Sequence, residues 1–192
     1  MELSFEKYLK EKTALPDSAI NTIKGLAIPL TVNKNEFLLQ PGEVCRHKIF
    51  VETGLLRTFS IGDDGNEHTL QLSPELSWTL DVESYDCETP TRINIGAIEP
   101  SNVLLWRKAD FNTLLHELPL LKKYSEQVIS NNIYFSRQRI LTTLGGTPKD
   151  KYEEFTQRFP HLLSRLPLRI IASYLGISVK TLTRIRHAQL HP

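Results

Sequence analysis

The sequence predicts an α+β fold. An N-terminal β-roll of the double-stranded β-helix or jelly-roll kind, with flanking helices, is followed by one long helix and a helix-turn-helix domain. Three observations predict it. Short β-rich runs recur between about Leu30 and Leu105, with turn residues between them. Residues 119–144 contain no glycine and no internal proline, which makes one helix roughly 39 Å long at 1.5 Å per residue. Beyond Glu154 the chain has no acid, yet it stays apolar enough to fold. With 192 residues, 40% hydrophobic and 23% charged, the chain is one large or two small globular domains rather than a multidomain machine or a disordered tail.

The first helices come from spacing. Leu3, Tyr8 and Leu9 recur at helical intervals, and Pro16-Asp17 opens a second helix with Ile20, Ile23 and Leu26 on one face. The strands are then Phe37–Leu39, Ile49–Val51, Leu55–Ile61, Thr69–Leu72, Ile93–Ile95 and Val103–Trp106. Pro41-Gly42-Glu43, Glu52-Thr53-Gly54 and Asp63-Asp64-Gly65-Asn66 separate them. Asp64-Gly65 signals a hairpin, because such turns need the positive φ that these residues accept. Strands this short and this evenly spaced form a small barrel or roll, not a βαβ sheet.

After Trp106 the strands stop. Lys108 opens a short helix to about Glu117, and Pro119 suits the first turn of the long one. That long helix carries two apolar stripes, one through Leu121, Tyr124, Val128 and Phe135, the other through Ile129, Ile133, Ile140 and Leu144. Two stripes require burial on two sides. The first covers the strand domain; the second calls for a twin helix across a two-fold axis, or else for more of the same chain. Gly145-Gly146-Thr147-Pro148 ends the helix as a hinge. The expected boundaries are a roll at 1–117, a dimerisation helix at 118–145 and a last domain at 146–192.

The formal net charge of +1 conceals an asymmetry. From Phe155 onward there are six basic residues and no acid, whereas the first 154 residues hold 17 basic and 22 acidic ones, a balance of −5. An acid-free basic end suits a polyanionic partner. A merely solubilising tail would be polar and of low complexity; this one contains Leu166, Ile170, Ile171, Tyr174, Leu175 and Leu182. Pro167 to Leu175 forms one helix, Gly176 supplies a left-handed turn, and Ser178 caps a second helix from Val179 to about Leu190. At 100° per residue, Leu182, Ile185 and Gln189 face the first helix. Lys180, Arg184 and His187 cluster opposite, with Thr181 at their edge. Two short helices with a basic outer face make a helix-turn-helix, whose second helix fits the major groove. Arg184 suits guanine O6 and N7, while Arg169 and Arg186 suit phosphates. An ordinary αα-hairpin with a charged face is the plain alternative.

Here the arrangement resembles the Crp-Fnr transcription regulators, over nearly the whole chain. The likeness rests on Gly42 in Pro-Gly-Glu, Gly54 after Ile49-Phe50-Val51, Gly65 in the hairpin, and Leu175-Gly176-Ile177-Ser178-Val179-Lys180-Thr181-Leu182-Thr183-Arg184-Ile185. The resemblance implies a cyclic-nucleotide-binding-type roll and a recognition segment in which Ser178, Thr181 and Arg184 match. Where cyclic-AMP-responsive members have a base-reading Glu, this chain has Lys180, so a different operator is implied. Those members also use a Gly-Glu pair and an Arg followed by a small residue. Glu75–Asp81 contains no Gly-Glu pair, and Arg92 sits about one position out of register, which in a strand turns a side chain to the other face. Weak or no binding of cyclic AMP is expected, with Arg92 left as an anchor for a small acidic effector of unknown identity. Many relatives add a β-wing after the recognition helix; if the protein ends at Pro192, weaker non-specific affinity is expected, with the reading helix left in place.

The implied partners are double-stranded DNA, a second copy of the chain and RNA polymerase. No cofactor, metal or membrane partner is expected. The N-terminus lacks the apolar core of a secretory signal, and no run approaches a membrane span, so a cytoplasmic location follows. Cys45 and Cys87, 42 positions apart, exclude a zinc knuckle, a CxxC pair and a cysteine-ligated Fe–S cluster within one chain; both read as buried free thiols. The competing class is a metal-dependent cupin-like enzyme, but His47, His68 and His116 lack its ligand spacing. No P-loop, GxGxxG or nucleophile elbow is present, so no enzyme is expected. A degenerate regulator that makes only protein contacts is the third reading.

Overall fold

The computed structural model describes residues 4–190, and side chains through 188. Within them, eight short strands form two four-stranded sheets. The strands are β1 (Ile28–Val32), β2 (Phe37–Leu39), β3 (His47–Thr53), β4 (Leu56–Ile61), β5 (Glu67–Ser73), β6 (Ser77–Thr79), β7 (Asn94–Ala97) and β8 (Ser101–Arg107). One sheet runs β1-β8-β3-β6 and the other β2-β7-β4-β5. β8 pairs antiparallel with β1 and β3, as β7 does with β2 and β4. This is the roll expected from the sequence.

The alternation of side chains along β3 and β8 explains why the first sheet is buried on both faces. Ile49, Val51 and Val103 point into the roll, where they meet Leu39, Leu56 and Ile95 of the second sheet. Phe50, Leu104 and Trp106 point the other way and are covered by helices. Those helices are α1 (Phe5–Lys12), α2 (Asp17–Gly25), α4 (Lys108–Glu117) and the start of α5 (Pro119–Gly145). α1 begins where the Ser4 hydroxyl accepts from the Lys7 N–H, and it buries Phe5 and Leu9 one turn apart. Trp106 donates its indole N–H to the Ile23 carbonyl at 2.7 Å, so this large ring is buried without an orphaned donor. The Tyr8 and Tyr124 hydroxyls lie 2.6 Å apart, and burial raises both pKa values.

Turn chemistry closes the roll. Gly54 has φ +95°, and a Cβ there would stand 2.6 Å from the Pro100 carbonyl, so only glycine fits. Asp64 accepts from the Asn66 N–H at 3.0 Å in the loop between β4 and β5, with Gly65 at φ +78°. The hairpin is present, but its loop spans residues 62–66 instead of two residues.

The chain forms two compact units. One comprises residues up to Ser60 together with Leu70–Val128. The other comprises Ile61–Thr69, the tip of the β4–β5 hairpin, together with residues from Ile129 onward. The second unit contains the rest of α5, then α6 (Pro148–Arg158), a 3-10 turn (Pro160–Leu162), α7 (Leu168–Leu175) and α8 (Val179–Leu190). Phe155, Phe159 and Tyr174 form its aromatic centre, with ring centroids 5.5–5.9 Å apart.

Several expectations need correction. β1, β6, α3 (Val82–Cys87) and α6 are elements that the sequence pattern did not announce. β1 carries Ile28, Leu30 and Val32 at alternate positions, but Pro29 interrupts the run, and proline is at home in a sheet only at an edge such as this one. α6 was hidden by its polar composition, although Thr147 and Asp150 form a capping box in front of it. Cys45 is buried as expected, but Cys87 is exposed at the end of α3. The first stripe of α5 ends at Val128: Phe135 is exposed, and the Arg158 guanidinium lies 4.0 Å from its ring. Leu3 lies outside the described residues, as does the side chain of Gln189.

Candidate nucleic-acid interface

α7 and α8 form the expected pair. Gly176, at φ +63°, turns the chain after α7. Its N–H and that of Ile177 reach back to the Ser173 and Ala172 carbonyls, which is the Schellman closure of a helix end. Ser178 then opens α8: its hydroxyl accepts from the Thr181 N–H at 3.0 Å and shares a 2.9 Å hydrogen bond with the Thr181 hydroxyl. Leu182, at 0% exposure, anchors α8 against the buried residues of α7.

The structure brings most of the expected residues together. Lys180, Arg184 and His187 are exposed on one side of α8, at positions four and three residues apart. Thr181 and Arg186 are half-buried at its flanks. Arg169 is exposed in the first turn of α7, where the free N–H groups of a helix start also favour an anion. Ser178 and Thr181 spend part of their bonding capacity on each other, so they hold the helix start as much as they offer it. Arg92 is exposed in the bend before β7.

One structural residue escaped the sequence analysis. Arg139 of α5 donates to the Thr69 carbonyl at 2.8 Å and to the Tyr174 carbonyl at 2.6 Å, with its guanidinium 4.0 Å from the centre of the Tyr174 ring. The Tyr174 carbonyl is one of those a helix end leaves unpaired. Ser173 completes the clasp: it donates to the Glu67 carbonyl at 2.6 Å and accepts from the Thr69 N–H at 2.9 Å. Burial lowers the Arg139 pKa and raises that of Tyr174. α5, the hairpin tip and α7 are therefore tied at one point. Its only sequence signal was a basic residue between apolar stripes, which ordinarily means a solvated face.

Known proteins share this design. No protein-family model matches the chain. It is 26% identical over 170 residues to the transcriptional activator protein Anr of Pseudomonas aeruginosa, covering 80% of this chain and 67% of that protein. It is 25% identical over 199 residues to the transcriptional activator FnrA of Stutzerimonas stutzeri, covering 85% and 78%. Among solved structures, FixK2 of Bradyrhizobium japonicum superposes with a TM-score of 0.74 at 18% identity, covering 86% of this chain and 84% of that one. A regulator of the Crp/Fnr family from Eubacterium rectale gives 0.70 at 17% identity, covering 96% and 88%. The chain is thus similar in sequence to these activators and in fold to regulators of the Crp-Fnr type.

Two further features of the chain bear on its use. The second stripe of α5 is uncovered: Ile129, Ile133, Ile140 and Leu144 are all exposed, Ile133 at 49% and Leu144 at 81%. The stretch Glu75–Asp81 is committed to the fold. Trp78 sits among Phe5, Phe50 and Trp106, with ring centroids 5.0–6.1 Å apart, and the Asp81 carboxylate accepts from the Thr91 hydroxyl at 2.5 Å. Among the described residues no group of three or more His, Cys, Asp or Glu is placed to hold a metal ion, and no helix is long and apolar enough to cross a membrane.

Proposed function

We propose that the chain is a homodimeric DNA-binding transcription regulator that reads a pseudo-palindromic site without cyclic AMP. The observation that carries this reading is the outward row Lys180, Arg184 and His187 on a helix whose inner side is fixed by Leu182. A helix of that kind enters the major groove, and the side chains of its first turns reach base edges. Arg184 reads a guanine, Lys180, Thr181 and His187 contribute at its sides, and Arg169, Arg186 and Ser178 hold the backbone. The names of Anr and FnrA as transcriptional activators support the same role.

The uncovered stripe of α5 supports the dimer. Four large aliphatic side chains in water on one helix face are what a twin helix removes. Two such heads reach successive major grooves about 34 Å apart, which is why the site is two-fold. In this reading residues 1–117 sense, 118–145 pair and 146–192 read. RNA polymerase is the partner at the promoter, the work is done in the cytoplasm, and no reaction is catalysed. Weak or no binding of cyclic AMP belongs to this reading: the segment that would hold its ribose and phosphate has no Gly-Glu pair, and its Asp81 brings negative charge.

The test is a fluorescence-anisotropy titration against duplex DNA at several salt concentrations. Affinity falling steeply and linearly in log–log form with salt supports the reading. Absence of binding at low salt overturns it.

A further inference from the structure

The roll contains a feature that the DNA reading does not use. On its inner face, β3 and β8 stand in the register His47↔Arg107, Ile49↔Leu105 and Val51↔Val103, and β1 continues two rows with Ile28 and Leu30. Side chains alternate strictly along strands, so these residues share one face. That face is cationic at one end and aliphatic along the rest. It is also unfinished at the β1 edge, where Ile28 and Leu30 remain 38% and 42% exposed.

A cavity of about 330 Å³ lies at the cationic end. Leu38, Leu39, Ile49 and Leu105 supply its apolar lining, Arg46 its positive charge and His47 an imidazole. A second groove of about 550 Å³ shares Leu38 and Glu43 with it and continues to Leu30 and Phe37. Volumes of this size are typical of small-molecule sites. Among the described residues neither Arg46 nor Arg107 forms an ion pair; the Glu88 carboxylate, which feels the charge of Arg46, is bonded directly to Lys108 at 2.9 Å. Glu43, the acid in the lining, turns to the Gln40 N–H at 2.7 Å. Burial and the charges of Arg107 and Arg46 hold the His47 imidazole below its ordinary pKa, so Arg46 carries the charge at this end and His47 offers a ring N–H.

We propose that this cavity binds an amphipathic monocarboxylate, with the carboxylate at Arg46 and His47 and an alkyl chain running past Leu38 toward Leu30 and Phe37. The site shares no residue with Glu75–Asp81 or Arg92. It deepens the reading of the roll as a sensor and rests on that reading only for its consequence, not for its chemistry. An alkyl chain rather than a compact ring suits two grooves joined end to end. The carboxylate suits a guanidinium beside an imidazole, since charge-assisted bonds are the strong ones.

The probe is decanoate, below its micelle concentration, titrated into the full chain by calorimetry without DNA. Saturable binding of one decanoate per chain is expected, with decan-1-ol at least tenfold weaker. Arg46→Ala should weaken decanoate at least tenfold while leaving decanol unchanged, and Leu38→Asn should weaken both. Arg46 is exposed and Leu38 half-buried, so unligated thermal unfolding of each variant checks that it folds. Non-saturable uptake, equal affinity for decanol, or unaltered binding by Arg46→Ala would each overturn the proposal. DNA affinity measured on the same preparation reports separately on the regulator reading, since loss of either activity leaves the other measurable.

Discussion

Replacing Arg139 by leucine removes the clasp that joins α5, the hairpin tip and α7. The arginine makes two short bonds to carbonyls, at 2.8 and 2.6 Å, and a ring contact with Tyr174 at 4.0 Å. A charge-assisted bond contributes about 1.5–3 kcal/mol, and a guanidinium–ring contact about 0.5–1 kcal/mol at exposed sites. Against this stands the desolvation of a largely buried cation, which leucine does not incur. The balance is a loss of about 3 kcal/mol. The assay is amide hydrogen exchange at Gly176 and Ile177, whose N–H groups close the end of α7. Exchange there should accelerate roughly a hundredfold at 1.4 kcal/mol per decade. Arg139→Lys should fall between, because an ammonium cannot present the planar fork that serves both carbonyls. Exchange at Gly176 within twofold of the parent in Arg139→Leu would refute the reasoning.

Arg184→Ala should relax base preference and cost about 1–3 kcal/mol of specific binding, whereas Arg169→Ala should weaken all sequences alike and reduce the salt slope by about one; parallel titrations of cognate and scrambled duplexes separate the two. In the proposed pairing through α5, Ile133→Glu, in the middle of the uncovered stripe, should leave the chain monomeric where the parent sediments as a dimer, with folding retained because the position is exposed. His47 is held below its ordinary pKa by burial and by the charges of Arg107 and Arg46. The unfolded chain therefore takes up this proton first as pH falls. The stabilising contribution is present above the ordinary imidazole value and declines as pH drops through it toward the folded one. His47→Gln should flatten that part of the stability–pH profile, read by urea unfolding.

The roll was legible because its core strands alternate. Ile49, Val51 and Val103 on one face and Phe50, Leu104 and Trp106 on the other produce continuous apolar runs that only a sheet buried on both sides explains. The helix-turn-helix was legible because Gly176 and Ser178 mark its turn and because charge sorts cleanly along α8. β1 was not legible because Pro29 stands inside its run of alternate apolar residues, and proline argues against a strand unless the strand lies at an edge. The long helix was read correctly in length, but the partner of its first stripe was taken too far. Phe135 shares the stripe with Tyr124 in angle, yet an arginine from α6, not the roll, lies over its ring. The Arg139 clasp and the cationic end of the roll were invisible for one reason. Both depend on residues distant in sequence meeting in space, and neither side of the pairing carries a local pattern.

The central claim is that the outer face of α8 reads duplex DNA from a two-fold assembly. Selection of bound sequences from a random duplex pool tests it most directly. The account predicts an enriched, inverted-repeat motif with half-site centres about one helical turn apart, and loss of one defined base preference in each half when Arg184 is alanine. A pool that emerges without enrichment, or with an asymmetric motif indifferent to Arg184, would contradict it.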